Sequence, residues 1–109
     1  MTIINVADAG SFSVTTMGDQ TYNDQVLATN VTFNADNMTA TVTSNDFMGT
    51  TSINLTTNGT IADANDFDFG PSTINGNLVL TADADNTNDD GDVTDSGPVV
   101  VDGLSLIHI

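Results

Sequence analysis

Short runs of this chain alternate between apolar residues and Thr, Ser or Asn. Alternation with a period of two predicts β-strands that bury one face. Gly, Pro, Asn and Asp separate the runs and predict tight turns. No run has the 3.6-residue period of a helix, so the pattern predicts an all-β chain with no helix longer than one turn. The apolar positions of the predicted strands are Phe12 and Val14, Val31 and Phe33, Met38, Ala40 and Val42, Ile53 and Leu55, Leu78 and Leu80, and Val99 and Val101.

Four of these runs also repeat along the chain. Phe12, Val31, Ile53 and Leu78 open similar units, and the spacing between successive units lengthens along the chain. A period of about 20–25 residues, to which these spacings conform, is typical of a solenoid. Stacked coils would place these four side chains in one column and form a core that no single coil could form. The repeat therefore favours a parallel β-helix over residues 1–103.

An antiparallel β-sandwich of seven or eight strands is the alternative. It shows the same alternation and the same spacing of turns. The chain has no Trp for a sandwich core. However, the spacing of the repeat is not constant, so the repeat does not exclude the sandwich.

The charges of the chain narrow the range of partners. It has 15 acidic residues, all of them Asp, no Lys or Arg, and a net charge of −15. Because it has no cationic Lys or Arg side chains, the chain is not expected to bind nucleic acid or anionic lipid. No apolar run approaches the ~20 residues of a membrane span, so membrane insertion is not expected. The absence of Cys excludes disulfides and thiolate metal sites. Cations, neutral sugars and copies of the same fold remain as partners.

Two segments resemble repeats of large bacterial surface adhesins of the filamentous haemagglutinin and autotransporter kind. Residues 10–26, GSFSVTTMGDQTYNDQV, are similar to one repeat, and QTYND is their most specific string. Residues 76–104, with GNLVLTAD and GDVTDSGPVVVDGL, are similar to a second. The resemblance implies a right-handed parallel β-helix in an extracellular stalk at the bacterial surface. It also implies a non-catalytic spacer that contacts neighbouring repeats, in a protein that attaches to an unknown receptor.

An acidic segment that the adhesin repeats lack is the candidate metal site. Ca²⁺ binds six to eight carboxylate, amide and carbonyl oxygens. Aligned with an EF-hand loop, the segment has Gly97 in place of the final Glu, and no helices flank it, so an irregular Ca²⁺ loop is the hypothesis. The alternative is a solvated acidic loop. The candidate ligands are Asp83, Asp85, Asn88, Asp90, Asp92 and Asp95.

If the chain is a β-sandwich, the predicted function is different: a Ca²⁺-dependent binding module that is cadherin-like or binds carbohydrate. An enzyme is not expected, because the chain has no Lys, Arg or Glu and only one His. It also has no nucleophile, zinc or phosphate-loop motif. In the segment around Asp63, we expect Asp66 and Asp68 to face water while Phe67 and Phe69 face the core. Tyr22 is expected to pack at the edge of a coil.

The last six residues, 104–109, read LSLIHI. This string resembles the translation of a transposon-end adapter used in preparing sequencing libraries. We expect a non-native tail on a fragment of a longer protein, with no function for His108. A solenoid fragment without capping coils is expected to be marginally stable or to aggregate when expressed alone.

Overall fold

The computed structural model describes residues 2–5, 12–86 and 91–109. All the regular elements in these ranges are β-strands. They are β1 (Thr2–Asn5), β2 (Phe12–Thr15), β3 (Gln20–Thr21), β4 (Val26–Ala35), β5 (Met38–Ala40), β6 (Asp46–Leu55), β7 (Gly59–Ala62), β8 (Phe67–Phe69), β9 (Ser72–Ile74), β10 (Leu78–Thr81), β11 (Val93–Asp95), β12 (Val99–Val101) and β13 (Ser105–His108).

The strands form two sheets in which all the pairings among described residues are parallel. Sheet A contains eight strands, and sheet B contains β3, β5, β7, β10 and β13. The chain passes through sheet A and then sheet B in each coil. We number these passes as coil 1 (β1–β3), coil 2 (β4–β5), coil 3 (β6–β7), coil 4 (β8–β10) and coil 5 (β11–β13). From coil 1 to coil 5 the chain completes about four turns, and the fold is a β-solenoid. The sandwich alternative is wrong, because its neighbouring strands would be antiparallel.

The predicted column of four side chains has the wrong register. Phe12 lies beside Val31 as expected, but Val31 lies beside Thr51, and Ile53 lies beside Phe33. Leu78 lies in sheet B beside Gly59. Residues two apart point to the same face of a strand, so the alternating pattern cannot decide which of them stack.

The spacing between stacked residues explains the irregular repeat. Leu55 stacks on Ile74, whereas Ser72 stacks on Val99, which is a longer step along the chain. The additional residues lie in the connection between β10 and β11, residues 82–92. The corresponding connection one coil earlier, between β7 and β8, consists only of residues 63–66. The longer step therefore falls in the acidic segment, which the adhesin repeats lack.

Apolar side chains from both sheets fill the interior of the coils. A row of five aromatic rings runs through it, with successive centroids 5.8, 5.9, 5.9 and 4.7 Å apart and edge-to-face contacts. Such contacts add to the stabilisation from burial. The rings are Tyr22, Phe33, Phe47, Phe67 and Phe69.

The two longest strands, β4 and β6, each contain a residue in a left-handed conformation, and their pairing register shifts at this point. Asn30 in β4 has φ 52° and Gly49 in β6 has φ 67°. The Asn30 Oδ1 accepts a hydrogen bond from the Thr50 amide at 3.0 Å. A Cβ at Gly49 would overlap this oxygen, so the position requires glycine.

Residues of the expected tail form β13 in the last coil. Ile107 lies beside Leu80 in a parallel pair, and all four side chains of β13 are exposed. This strand pairing does not test whether residues 104–109 are native, because a non-native segment could pair in the same way. The adapter origin of residues 104–109 stays a prediction.

Candidate functional site

Two polar side chains are completely buried at the corner where one coil passes into the next. Asn45 and Asp63 each have 0% of their surface exposed. The Asn45 Oδ1 accepts from the Val26 amide at 2.7 Å, and its Nδ2 donates to the Ala40 carbonyl at 3.1 Å. One coil later, the Asp63 Oδ2 accepts from the Phe47 amide at 3.4 Å. The same corner role is thus filled by an amide in one coil and a carboxyl in the next.

Burial changes the acidity of Asp63. It raises the pKa of this carboxyl to about 7, against hydrogen bonds from the Asn65 and Phe47 amides that lower it. The nearby charges of Asp46 and Asp66 raise the pKa further. Because the chain has no Lys or Arg, no side-chain cation of that kind can offset the cost of burying this charge.

An acidic groove lies outside this corner. Its volume is about 300 Å³, and it is lined in part by the first four residues of β6. Three carboxylates lie along it, so it would attract cations rather than anions. The described residues contain no group of three or more His, Cys, Asp or Glu arranged to hold a metal ion. The lining residues are Asp46, Phe47, Met48, Gly49, Asn65, Asp66 and Asp68.

Hydroxyl groups donate hydrogen bonds to two half-buried carboxylates, Asp68 and Asp36. Asp68 accepts from Ser96 at 2.6 Å, Thr94 at 3.1 Å and Thr50 at 3.3 Å. Ser96 makes the largest contribution to lowering the pKa of Asp68. The hydroxyls of Thr56 and Thr57 likewise lower the pKa of Asp36. Phe67 and Phe69 are buried while Asp66 is exposed and Asp68 half-buried, as the alternation predicted. The burial of Asp63 was not predicted.

Asparagines form a ladder along the turn that leads into sheet B. The Asn58 amide donates to Asn37 Oδ1 at 3.0 Å, and the Asn77 amide donates to Asn58 Oδ1 at 2.8 Å. The ladder continues to Asp19 at one end and to the Leu104 amide at the other. Sequence reasoning missed it. The signal was an Asn or Asp immediately before strands of sheet B in four successive coils.

The QTYND string places two polar side chains inside coil 1. The Gln20 Nε2 donates to the carbonyls of Val14 and Asn34 at 3.0 and 3.1 Å, and only 6% of Gln20 is exposed. The Tyr22 hydroxyl donates to the Gln20 Oε1 at 2.8 Å, and the ring packs on Phe33. Burial raises the pKa of Tyr22. Tyr22 therefore packs within the terminal coil, close to the edge position that was expected.

The structure gives only part of the candidate Ca²⁺ loop. Asn88 and Asp90 lie outside the described residues. Asp83 has φ 51° and a buried Oδ1 without a hydrogen-bond partner. The Asp92 amide donates to Asp66 Oδ1 at 3.0 Å, and Asp95 is exposed on β11. Together with Asp85, these residues stay a predicted Ca²⁺ site.

A second cavity, of about 310 Å³, lies at coil 5. It is lined by Phe69, Val93, Thr94, Asp95, Val99 and Ile107. At the opposite end, 46% of Phe12 in β2 is exposed.

Comparisons with known proteins found no matching family model, no similar curated protein and no similar solved structure. In the part of the chain that the structure describes, no helix is long and apolar enough to cross a membrane.

Proposed function

We propose that this chain is a non-catalytic structural segment that acts as a spacer in the stalk of an extracellular bacterial adhesin or exoprotein. The stacking of similar coils around a continuous apolar interior supports this proposal most directly. In such an array each coil contacts only its neighbours, so length is set by the number of coils. Within the stalk, the partners of the segment are neighbouring repeats, and a tip elsewhere binds the receptor.

The polar contacts of the surface are consistent with a rod. The asparagine ladder and the carboxylate–hydroxyl bonds link successive coils. Hydrogen bonds of this kind resist separation of coils along the axis. The acidic groove offers a cationic ligand a surface, but its three carboxylates have no Lys or Arg beside them, because the chain contains neither. This arrangement favours the spacer over an enzyme.

The test is modularity of length. Deleting residues 56–74 removes one coil, because Leu55 and Ile74 occupy equivalent positions. The shortened chain should still fold cooperatively. Strands stack about 4.8 Å apart, so the axial distance from coil 1 to coil 5 should fall from about 19 Å to about 14 Å.

Spin labels measure this change. The chain has no Cys, so labels at Met17→Cys and Val100→Cys are unique, and both residues are exposed. Deleting residues 56–65 is the matched control, since it removes half a coil and should abolish folding. The spacer proposal fails if the half-coil deletion folds as well as the one-coil deletion, or if the label distance does not shorten in the one-coil deletion.

A further inference from the structure

We propose that the connection between coils 3 and 4, residues 63–66, is a proton-controlled latch: it stays closed while the Asp63 carboxyl is neutral and opens to water when that carboxyl ionises. The proposal concerns a local opening of the fold and does not depend on the spacer role. It rests on the burial of Asp63, on its hydrogen bonds and on the charges around it.

Asp63 joins this connection to the neighbouring coils. Its carboxyl accepts from the Phe47 amide at 3.4 Å and from the Asn65 amide at 3.0 Å. Its own amide donates to the Thr81 carbonyl at 2.8 Å, and its carbonyl accepts from the Ala84 amide at 2.8 Å. The side chain at the centre of these contacts has no exposed surface. A change in its charge therefore acts directly on the contacts that hold the connection in place.

The surroundings offer an ionised Asp63 no opposite charge. Its own connection, β6, β8 and residues 82–92 pack around it, and β7, β10 and the Asn45 segment carry no titratable side chain. Burying a charge without a cation beside it is costly, whereas an open connection places the charge in water. Ionisation therefore favours opening. The described titratable groups on the surrounding segments are all carboxyls, those of Asp46, Asp66, Asp68, Asp83, Asp85 and Asp92.

The connection can open while the strands stay in place. Ala64 is its only apolar residue, so lifting residues 63–66 exposes little apolar surface. Local openings occur where few apolar contacts hold a segment. Asn65 and Asp66 also line the acidic groove, so water already reaches the outer side of the connection. A small displacement of these residues towards the groove would expose the Asp63 carboxyl.

The direction of the pH effect follows from the two states of Asp63. Its pKa is about 7 in the closed state and near the ordinary 3.8 once the carboxyl reaches water. Between pH 6 and pH 8 the open state is ionised throughout, while the closed state loses its proton. The equilibrium constant for opening should therefore rise about tenfold over this range and level off at higher pH.

Thiol labelling measures the opening, because the chain has no Cys of its own. Ala64→Cys places a buried thiol in the connection, and Ala35→Cys places one at the distant end of β4. Each is reacted with an aromatic disulfide reagent at pH 6 and pH 8, with Asp63 and with Asp63→Asn. The ratio of the two rates removes the pH dependence of the thiol itself. For Ala64→Cys this ratio should rise about tenfold between the two pH values.

Urea separates local opening from unfolding of the whole chain. Global unfolding also exposes Asp63, so the ratio alone does not distinguish the two. The sensitivity of an opening to urea scales with the surface that it exposes. The Ala64→Cys thiol should therefore react faster than the Ala35→Cys thiol, at a rate that low urea concentrations leave unchanged. The Ala35→Cys rate should rise with urea.

Asp66→Asn is the matched control, since it removes a carboxylate from the same connection and leaves Asp63 in place. The rise with pH should persist in it. Circular dichroism verifies that each variant is folded, and hydrogen exchange of the Phe47 and Asn65 amides repeats the test without a Cys. The proposal is overturned if the ratio is the same at pH 6 and pH 8, if both thiols react at one rate with one urea dependence, or if Asp66→Asn removes the rise as completely as Asp63→Asn. None of these results would bear on the spacer proposal.

Discussion

Replacing the buried carboxyl with the corresponding amide, Asp63→Asn, should change how stability depends on pH. Asp63 is fully buried and its pKa is raised to about 7, while an unfolded Asp titrates near 3.8. Between these values the folded chain holds a proton that the unfolded chain has lost. Stability from this group is complete below about pH 4 and is lost as the pH rises through 7.

The magnitude follows from the difference in pKa. A difference of about 3 units corresponds to about 4 kcal/mol at 1.36 kcal/mol per unit. This is a large share of the 5–15 kcal/mol that stabilises an ordinary domain. Asn45, at the equivalent corner, shows that an amide fits this position. Asp63→Asn incurs a constant cost for the hydrogen bond from the Asn65 amide, but no cost that grows with pH.

Denaturant unfolding at pH 4.5, 6 and 8 and constant ionic strength measures the effect. Relative to the wild-type chain, Asp63→Asn should gain about 3 kcal/mol between pH 4.5 and pH 8, because part of the full effect falls below pH 4.5. Asn45→Asp is the mirror variant and should add a similar loss at high pH. A difference between wild type and Asp63→Asn that stays constant across this range would refute the reasoning.

Three further predictions concern other features. Asn58→Ala removes the acceptor for the Asn77 amide and should cost about 1–2 kcal/mol in chemical denaturation, whereas exposed Asn23→Ala should be near neutral; equal effects would remove the ladder's role. Gly49→Ala should destabilise by more than about 1 kcal/mol and Gly18→Ala should not, because only Gly49 has a positive φ and a close neighbour; thermal melts that match would contradict this. If the acidic loop binds Ca²⁺, millimolar Ca²⁺ should raise the Tm and the double variant Asp83→Asn, Asp92→Asn should abolish the rise; identical melts with Ca²⁺ and with chelator would count against the site.

Alternation and repeat length were enough to predict an all-β solenoid. Strands such as β2, β10 and β12 lie where the alternating pairs predicted them. The register could not be predicted, because Val31 and Phe33 point to the same face and either could stack on Ile53. The N-terminal half of β6 was missed as well, since its pattern is interrupted at Gly49, where the backbone leaves the usual strand conformation.

The polar interior was harder to predict than the apolar core. The residues that flank Asp63 in the sequence are similar to those that flank the exposed Asp residues. Only the stacking of coils shows that the Asp63 side chain is buried at the corner between two coils. Gln20 belongs to the QTYND string that resembles the adhesin repeat. Nothing in that string indicates that the Gln20 side-chain amide donates hydrogen bonds to backbone carbonyls of coils 1 and 2. Such positions depend on contacts between residues about one coil apart, which no local pattern contains.

Cross-linking of engineered cysteine pairs tests the stacking of coils most directly. Thr39 and Thr60 are neighbours in parallel register, and so are Thr60 and Val79. Adjacent strands lie about 4.8 Å apart, within the reach of a disulfide, while strands two coils apart lie about 9.6 Å apart, beyond it. The account predicts rapid intramolecular disulfides in Thr39→Cys/Thr60→Cys and Thr60→Cys/Val79→Cys, and none in Thr39→Cys/Val79→Cys. Failure of both adjacent pairs, or equally rapid oxidation of the distant pair, would contradict it.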